Sequence, residues 1–206
     1  MNDLRMPDDL QSIIGKDTID FFVKAKRKQP VKNSIGIIFF GTVWTAFTSI
    51  FVMVFLGPIF RGEETHFKVD GVPTTASWEN FRPMLTPTIF IGVFVLIGIG
   101  MLAWGLYSLF QKGGYFAGTN NRLIRYDKGI VNTYDWEQFT GSTEVNSLKG
   151  DISLQLRTGK MVSRKNRPDE FVPDIIYISG ITDVLEIEQN CRKRIKENDP
   201  SPANIV

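Results

Sequence analysis

Charged residues recur throughout this chain except in two places: none occurs from Asn33 to Phe60, and none from Pro83 to Gln111. The second of these contains TPTIFIGVFVLIGIGMLAWGLYSLF, in which apolar side chains fall on every side of a helix and not along one face. As a helix it rises roughly 36 Å, enough to cross a hydrocarbon core of about 30 Å with some tilt. Core helices of soluble proteins are usually shorter and keep a polar face. The pattern therefore predicts a polar segment over residues 1–33, a membrane span over 34–60, a polar loop over 61–86 and a second span over 87–111. A long polar segment precedes the first span, and Leu56-Gly57-Pro58-Ile59 at its end is not a small-x-small cleavage site. That span is expected to persist in the mature protein.

After Lys112 the period changes from helical to alternating, and the pattern predicts a β-rich domain over residues 113–198 with a frayed tail over 199–206. Tyr115–Thr119 and Arg122–Tyr126 flank Asn120-Asn121, a pair that tolerates the positive φ of a tight hairpin turn. A third strand follows Asp127-Lys128-Gly129, with Ile130, Tyr134 and Trp136 on one face. The clearest alternation is Asp151 to Arg157, where Ile152, Leu154 and Leu156 oppose Asp151, Ser153, Gln155 and Arg157. Phe139–Lys149 is less strand-like, and Pro173 within the apolar run Phe171–Ile178 points to an edge or a bulge. A closing helix begins after Ser179-Gly180, with a capping-box-like Asp183 and Glu186 and an apolar stripe of Val184, Leu185, Cys191 and Ile195.

The first 33 residues admit three readings. Leu10, Ile13 and Ile14 share one face of a short helix, and Asp17–Val23 is rich in phenylalanine beside a basic run. That piece fits an interfacial amphipathic anchor, a strand added to the later domain, or a solvated linker.

The net charge of +2 selects no partner, but its placement is informative. Lys24, Lys26, Arg27, Lys28 and Lys32 precede the first span with no acid among them, and Lys112, Arg122, Arg125 and Lys128 follow the second. The loop between holds three basic and four acidic residues. By the positive-inside rule both termini are cytoplasmic, as in a multi-pass protein of the cytoplasmic (inner) membrane. Within the first span Gly41, Thr45 and Ser49 lie four apart, a small-residue face suited to helix packing against the second span or another protein.

Catalytic chemistry is scarce. His66 is the only histidine and Cys191 the only cysteine, and they are assigned to opposite sides of the membrane; no catalytic residue, metal site or cofactor is expected. Neither span carries an ionisable side chain, which argues against a proton or ion path through one chain. Arg157, Lys160, Arg164, Lys165 and Arg167 form the densest basic stretch of the domain. Arg164, Lys165 and Arg167 are candidate contacts to anionic lipid, against a solvated hairpin loop. Nucleic acid is not expected, because no aromatic residues are interleaved for stacking.

Phe116-Ala117-Gly118-Thr119-Asn120-Asn121-Arg122-Leu123-Ile124, then Gly129, and later Gly180-Ile181-Thr182-Asp183, resemble the opening hairpin and final helix start of bacterial pleckstrin-homology-like domains. The resemblance covers about residues 84–198, and a two-span hairpin ahead of the domain is a recurrent arrangement in that family. It implies a partly open barrel or sandwich of about seven strands capped by a C-terminal helix. The first hairpin loop lacks the basic residues of phosphoinositide-binding relatives, so headgroup binding is not carried across. The expected function is a non-catalytic, membrane-tethered interaction or scaffold module that self-assembles or organises a membrane complex. The alternatives are an accessory subunit docking on a transporter or channel through its spans, and a module that binds anionic lipid.

Overall fold

In the computed structural model of the protein, residues 6–69, 71–165 and 167–199 are described. They fall into two compact units, one made of the chain up to Pro30 together with the chain from Phe110 onward, the other of Val31–Leu109.

The second unit is a helical hairpin. Helix α2 (Val31–Phe51) continues through a widened π turn (Val52–Leu56) into α3 (Gly57–Phe60), and α4 spans Leu85–Phe110. Each of the two continuous helical stretches is long and apolar enough to cross a bilayer. The π turn has a local cause. Pro58 has no N–H and its ring crowds the carbonyl four residues back, and the backbone widens so that Gly57 N–H donates to Val52 O.

The helices meet along a heptad-like line, not along the four-apart stripe. Ser34, Gly41 and Thr48 are the buried residues of α2, and Ile91, Gly98, Gly105 and Ser108 those of α4. A Cβ on Gly98 would lie 2.6 Å from Thr45 Oγ1, and one on Gly105 would lie 2.6 Å from Ile38 Cγ1. Gly92 and Gly100 face open space. Steps of three and four keep a line on the partner, whereas repeated steps of four drift off it, so Thr48 takes the place that the sequence pattern gave to Ser49. Ser34 Oγ donates to Ser108 Oγ at 3.0 Å, and Trp44 Nε1 donates to Phe94 O at 3.0 Å beneath a stacked ring pair.

The connection between the helices is more than a solvated loop. β2 (Thr65–Val69) and β3 (Val72–Ala76) form a hairpin, and Ile59, Ala76 and Met84 bury a small core against Phe55, Phe67 and Phe81. Exposed Phe60 and Trp78 sit edge to face beside it, in the manner of an interfacial aromatic belt.

The first unit contains seven strands among the described residues, in two antiparallel sheets. One has the order β1 (Ile19–Lys24), β4 (Tyr115–Thr119), β5 (Arg122–Asp127), β6 (Ile130–Asp135), and the other the order β7 (Phe139–Asn146), β8 (Asp151–Arg164), β9 (Arg167–Ser179). Helix α5 (Val184–Glu197) closes the core. The N-terminal segment thus belongs to the β domain and is not a separate piece, and the two units divide after Pro30 and after Leu109. β1 pairs with β4 from Ile19↔Thr119 to Lys24↔Tyr115, and Phe21 is buried with its ring packed against Gly118, where any side chain would collide. Arg194 clasps Asp20 with two bonds of 2.7 Å, and α1 (Asp8–Ile14) lays Leu10 and Ile14 on Ala117 and Ile124 on the sheet's other face.

Several local expectations are revised. Asn120 and Asn121 do not adopt positive φ; the Thr119 hydroxyl shapes that turn by accepting from Arg122 N–H at 3.2 Å and donating to Arg122 O at 3.1 Å. The turn with two positive φ values is Lys128-Gly129, and Ile130 beside it is exposed. Asp183 adopts a left-handed conformation and makes no capping bond; Ile187 and Glu188 join the buried stripe of α5 while Leu185 faces out. Asp151 points inward because its carboxylate accepts from Arg27 at 3.1 Å and from Gly180 N–H at 3.0 Å.

Candidate interaction surface

The two strands β8 and β9 outrun the core. Ile152, Leu154, Leu156, Ile176 and Ile178 are buried, but from Arg157 through Ile175 nearly every described side chain is exposed or half-exposed. Seven residues, Thr158–Arg164, continue β8 as a free ribbon of roughly 23 Å. The pairing shifts register between Gln155 and Gly159, opposite Pro173, where the ribbon leaves the body of the domain. A Cβ on Gly159 would run into the β9 backbone at Val172 and Pro173, so the crossing is tight.

This ribbon carries exposed apolar side chains on both faces. Met161 pairs with Phe171 on one face and Lys160 with Val172 on the other; Val162 lies across from Glu170. Met161 is 64% exposed and Phe171 49%. β9 is also an edge, so among the described residues one side of its backbone has no strand partner beyond the bridge at Arg27↔Ser179. Unpaired edge groups next to exposed apolar side chains are the ingredients of strand addition by another chain.

Arg164 and Lys165 lie at the ribbon tip, both exposed, and Arg164 is paired with Glu170 at 2.8 Å. Arg167 opens β9 opposite Arg164; its side chain lies outside the described residues. These positions are a whole strand away from Ser179. Ser179 O accepts from Arg27 N–H, Gly114 O from Ala25 N–H, and Gln111 O from Lys28 N–H, so the chain's exits toward the helical hairpin gather at that end of β9. With 13 residues in β9 the tip stands roughly 40 Å along the strand from this rim. The candidate lipid contacts Arg164, Lys165 and Arg167 thus stand at the opposite end of β9 from Gly114. Arg157 is engaged elsewhere, donating to Glu137 O and Phe139 O and pairing with Asp199. Gly41 and Thr45 are occupied within the hairpin, as described above.

The titratable groups inside the domain serve its packing. Cys191 is fully buried, and desolvation followed by the nearby Glu188 and Asp20 carboxylates pushes its thiol far above the ordinary range, away from a reactive thiolate. Arg194 is driven still further toward its charged form by Asp20 and Glu197. Glu188 accepts from Thr143 at 2.9 Å and from Arg192. His66 Nδ1 lies 3.1 Å from Thr75 Oγ1 across the β2–β3 hairpin. Among the described residues no three His, Cys, Asp or Glu side chains gather as a metal site would need.

The exposed apolar pairs were absent from the sequence-derived candidates. Their signal was present in Met161-Val162 and Phe171-Val172, adjacent apolar residues that place one side chain on each face of a strand. Compared with protein-family models, with curated proteins and with solved structures, the chain matches none.

Proposed function

We propose that this protein is a non-catalytic, membrane-tethered interaction module that assembles with further copies of itself through the β8–β9 ribbon. The observation that carries the reading is the ribbon: a free strand edge with apolar residues on both faces, standing clear of the core. Soluble surfaces seldom leave such a combination uncovered. The β domain is read as pleckstrin-homology-like, supported by a four-stranded and a three-stranded antiparallel sheet followed by a closing helix. Both termini are placed on the cytoplasmic side, supported by the basic residues before α2 and after α4.

Because Cys191 is buried, an introduced surface cysteine is the only readily reactive thiol. Met161→Cys and Val172→Cys in native membranes are expected to yield a disulfide-linked dimer on mild oxidation, while Leu148→Cys, fully exposed but off the ribbon, yields none. Monomer at both ribbon positions would overturn self-assembly. Labelling intact cells with an impermeant maleimide is expected to modify Val72→Cys and spare Leu148→Cys, and the reverse would overturn the orientation.

The span-led alternative, docking on a transporter or channel, is less supported. Its proposed contact face is largely consumed by α4, since Gly41 approaches Leu102 and Met101 and Thr45 approaches Gly98.

A further inference from the structure

Three lysines from two distant parts of the chain converge on one cleft of the β domain. Lys24 ends β1, Lys26 follows it, and Lys112 comes from the segment before β4; together with Gly180, Ile181 and Thr182 they line a cavity of about 400 Å³. Among the described residues no carboxylate lines it. All three lysines are exposed, and none forms an ion pair among the described residues. The contrast with their neighbours is informative: Arg27, three residues after Lys24 and one after Lys26, is bound to Asp151, and Arg194 on α5 to Asp20. The Asp151 and Asp20 carboxylates are thus committed to arginines and not to the lysines.

The cleft has two kinds of wall. The ammonium groups and the Thr182 hydroxyl supply donors, while Val23, Ala25 and Ile181 supply apolar surface. The Tyr115 ring lies 5.0 Å from Lys24 Nζ and helps hold that cation in place. Chain length fixes its surroundings. Lys112 follows the last residue of α4 by two positions, and Lys26 precedes the first of α2 by five. Two residues span at most about 7 Å, so a helix end at the bilayer surface brings Lys112 to headgroup depth.

We propose that this cleft binds the phosphate of an anionic glycerophospholipid, with Lys24, Lys26 and Lys112 as its cationic ligands and the apolar wall against the glycerol and first acyl carbons. The inference is separate from self-assembly through the ribbon and does not depend on it. It also assigns lipid contact to residues other than Arg164, Lys165 and Arg167, which lie at the far end of β9.

The test uses the full chain in non-ionic detergent, titrated with dihexanoyl phosphatidylglycerol, dihexanoyl phosphatidylcholine and glycerol 3-phosphate, and read by calorimetry and by native mass spectrometry of retained lipid. Phosphatidylglycerol is expected to bind in preference to phosphatidylcholine, with an affinity that falls as salt rises. Each of Lys24→Gln, Lys26→Gln and Lys112→Gln should weaken it about fivefold, and the three together about a hundredfold. The same substitutions to arginine retain the charge and should retain binding. Lys160→Gln, Arg164→Gln and Lys165→Gln remove equal charge from the ribbon and should leave the affinity unchanged. Equal binding of the two lipids overturns the proposal, as does an equal loss from the cleft and ribbon variants, which would mark diffuse attraction. Binding of glycerol 3-phosphate as tightly as the lipid would assign the cleft to a soluble phosphate and overturn the lipid reading.

Discussion

If β1 is an integral strand, a domain cut at residue 113 must fail where one that keeps the N-terminal segment succeeds. The structure suggests the comparison, because Lys28 N–H donates to Gln111 O at 3.1 Å, and the two chain ends leaving the β domain therefore lie side by side. Replacing residues 31–109 with a short Gly-Ser bridge should give a folded β domain. Residues 113–199 alone lack Phe21, Asp20 and Arg27. Phe21 is 8% exposed within the main core, and its removal is expected to cost about 3 kcal/mol. The partly exposed Asp20–Arg194 clasp adds about 1 kcal/mol after solvent screening. Loss of Arg27 leaves the nearly buried Asp151 carboxylate with only the Gly180 N–H, at about 2 kcal/mol. The total, on the order of 6 kcal/mol, is comparable with the whole stability of a small domain, which is about 5–15 kcal/mol. Urea unfolding followed by circular dichroism is the assay. The bridged chain should show a cooperative transition, Phe21→Ala should lower its midpoint by roughly 2 M, and residues 113–199 should show no transition. A fragment 113–199 that unfolds cooperatively within about 0.5 M of the bridged chain would refute the place given to β1.

Within the hairpin, Ser34→Cys with Ser108→Cys should form a disulfide, since their hydroxyls are 3.0 Å apart; adding Gly98→Leu should suppress it and Gly100→Leu should not, as gel mobility would show. The hydrogen bond from Tyr126 to Asp9, with some desolvation, raises the phenol above its ordinary value of 10.0, so its contribution to docking α1 is complete below that pH and is lost as pH rises through the raised value. Hydrogen exchange of α1 should therefore accelerate in that alkaline window, and Tyr126→Phe should abolish this pH dependence. Alkylation of Cys191 should be roughly a thousandfold or more slower in the native protein than in urea, because reaction waits on global opening. Rapid native labelling would contradict the packing of α5.

The two helices were legible because absence of charge over a long stretch is a local property of the sequence. So was the inner face of β8, where Ile152, Leu154 and Leu156 alternate with polar residues and are buried. What escaped was pairing at a distance. Nothing in Ile19–Lys24 states that its partner is Tyr115–Thr119, on the far side of the whole hairpin, and the same residues suited an interfacial anchor equally well. Asp151 read as a surface residue because the pattern cannot show that Arg27 and the Gly180 N–H wait for it inside. For the candidate surface, the sequence marked charge at 157–167 and passed over the exposed Met161 and Phe171. An apolar pair reads as core until the ends of the core are known.

Insertion of the hairpin between β1 and β4 also dictates an order of events during synthesis. β1 leaves the ribosome first, yet its partner begins at Tyr115, about 90 residues later, a delay of roughly 5–20 s at ordinary translation rates. Through that interval Phe21, Phe22 and the apolar side of α1 have no sheet to cover them. Closing so long a loop in solution would be slow and entropically unfavourable. Once α2 and α4 have paired, with Ser34 against Ser108, the two strands are delivered as near neighbours and the closure is already made. Completion of the β domain is thereby conditional on pairing of α2 with α4. A chain in which α2 and α4 fail to pair keeps the apolar side chains of its first strand uncovered.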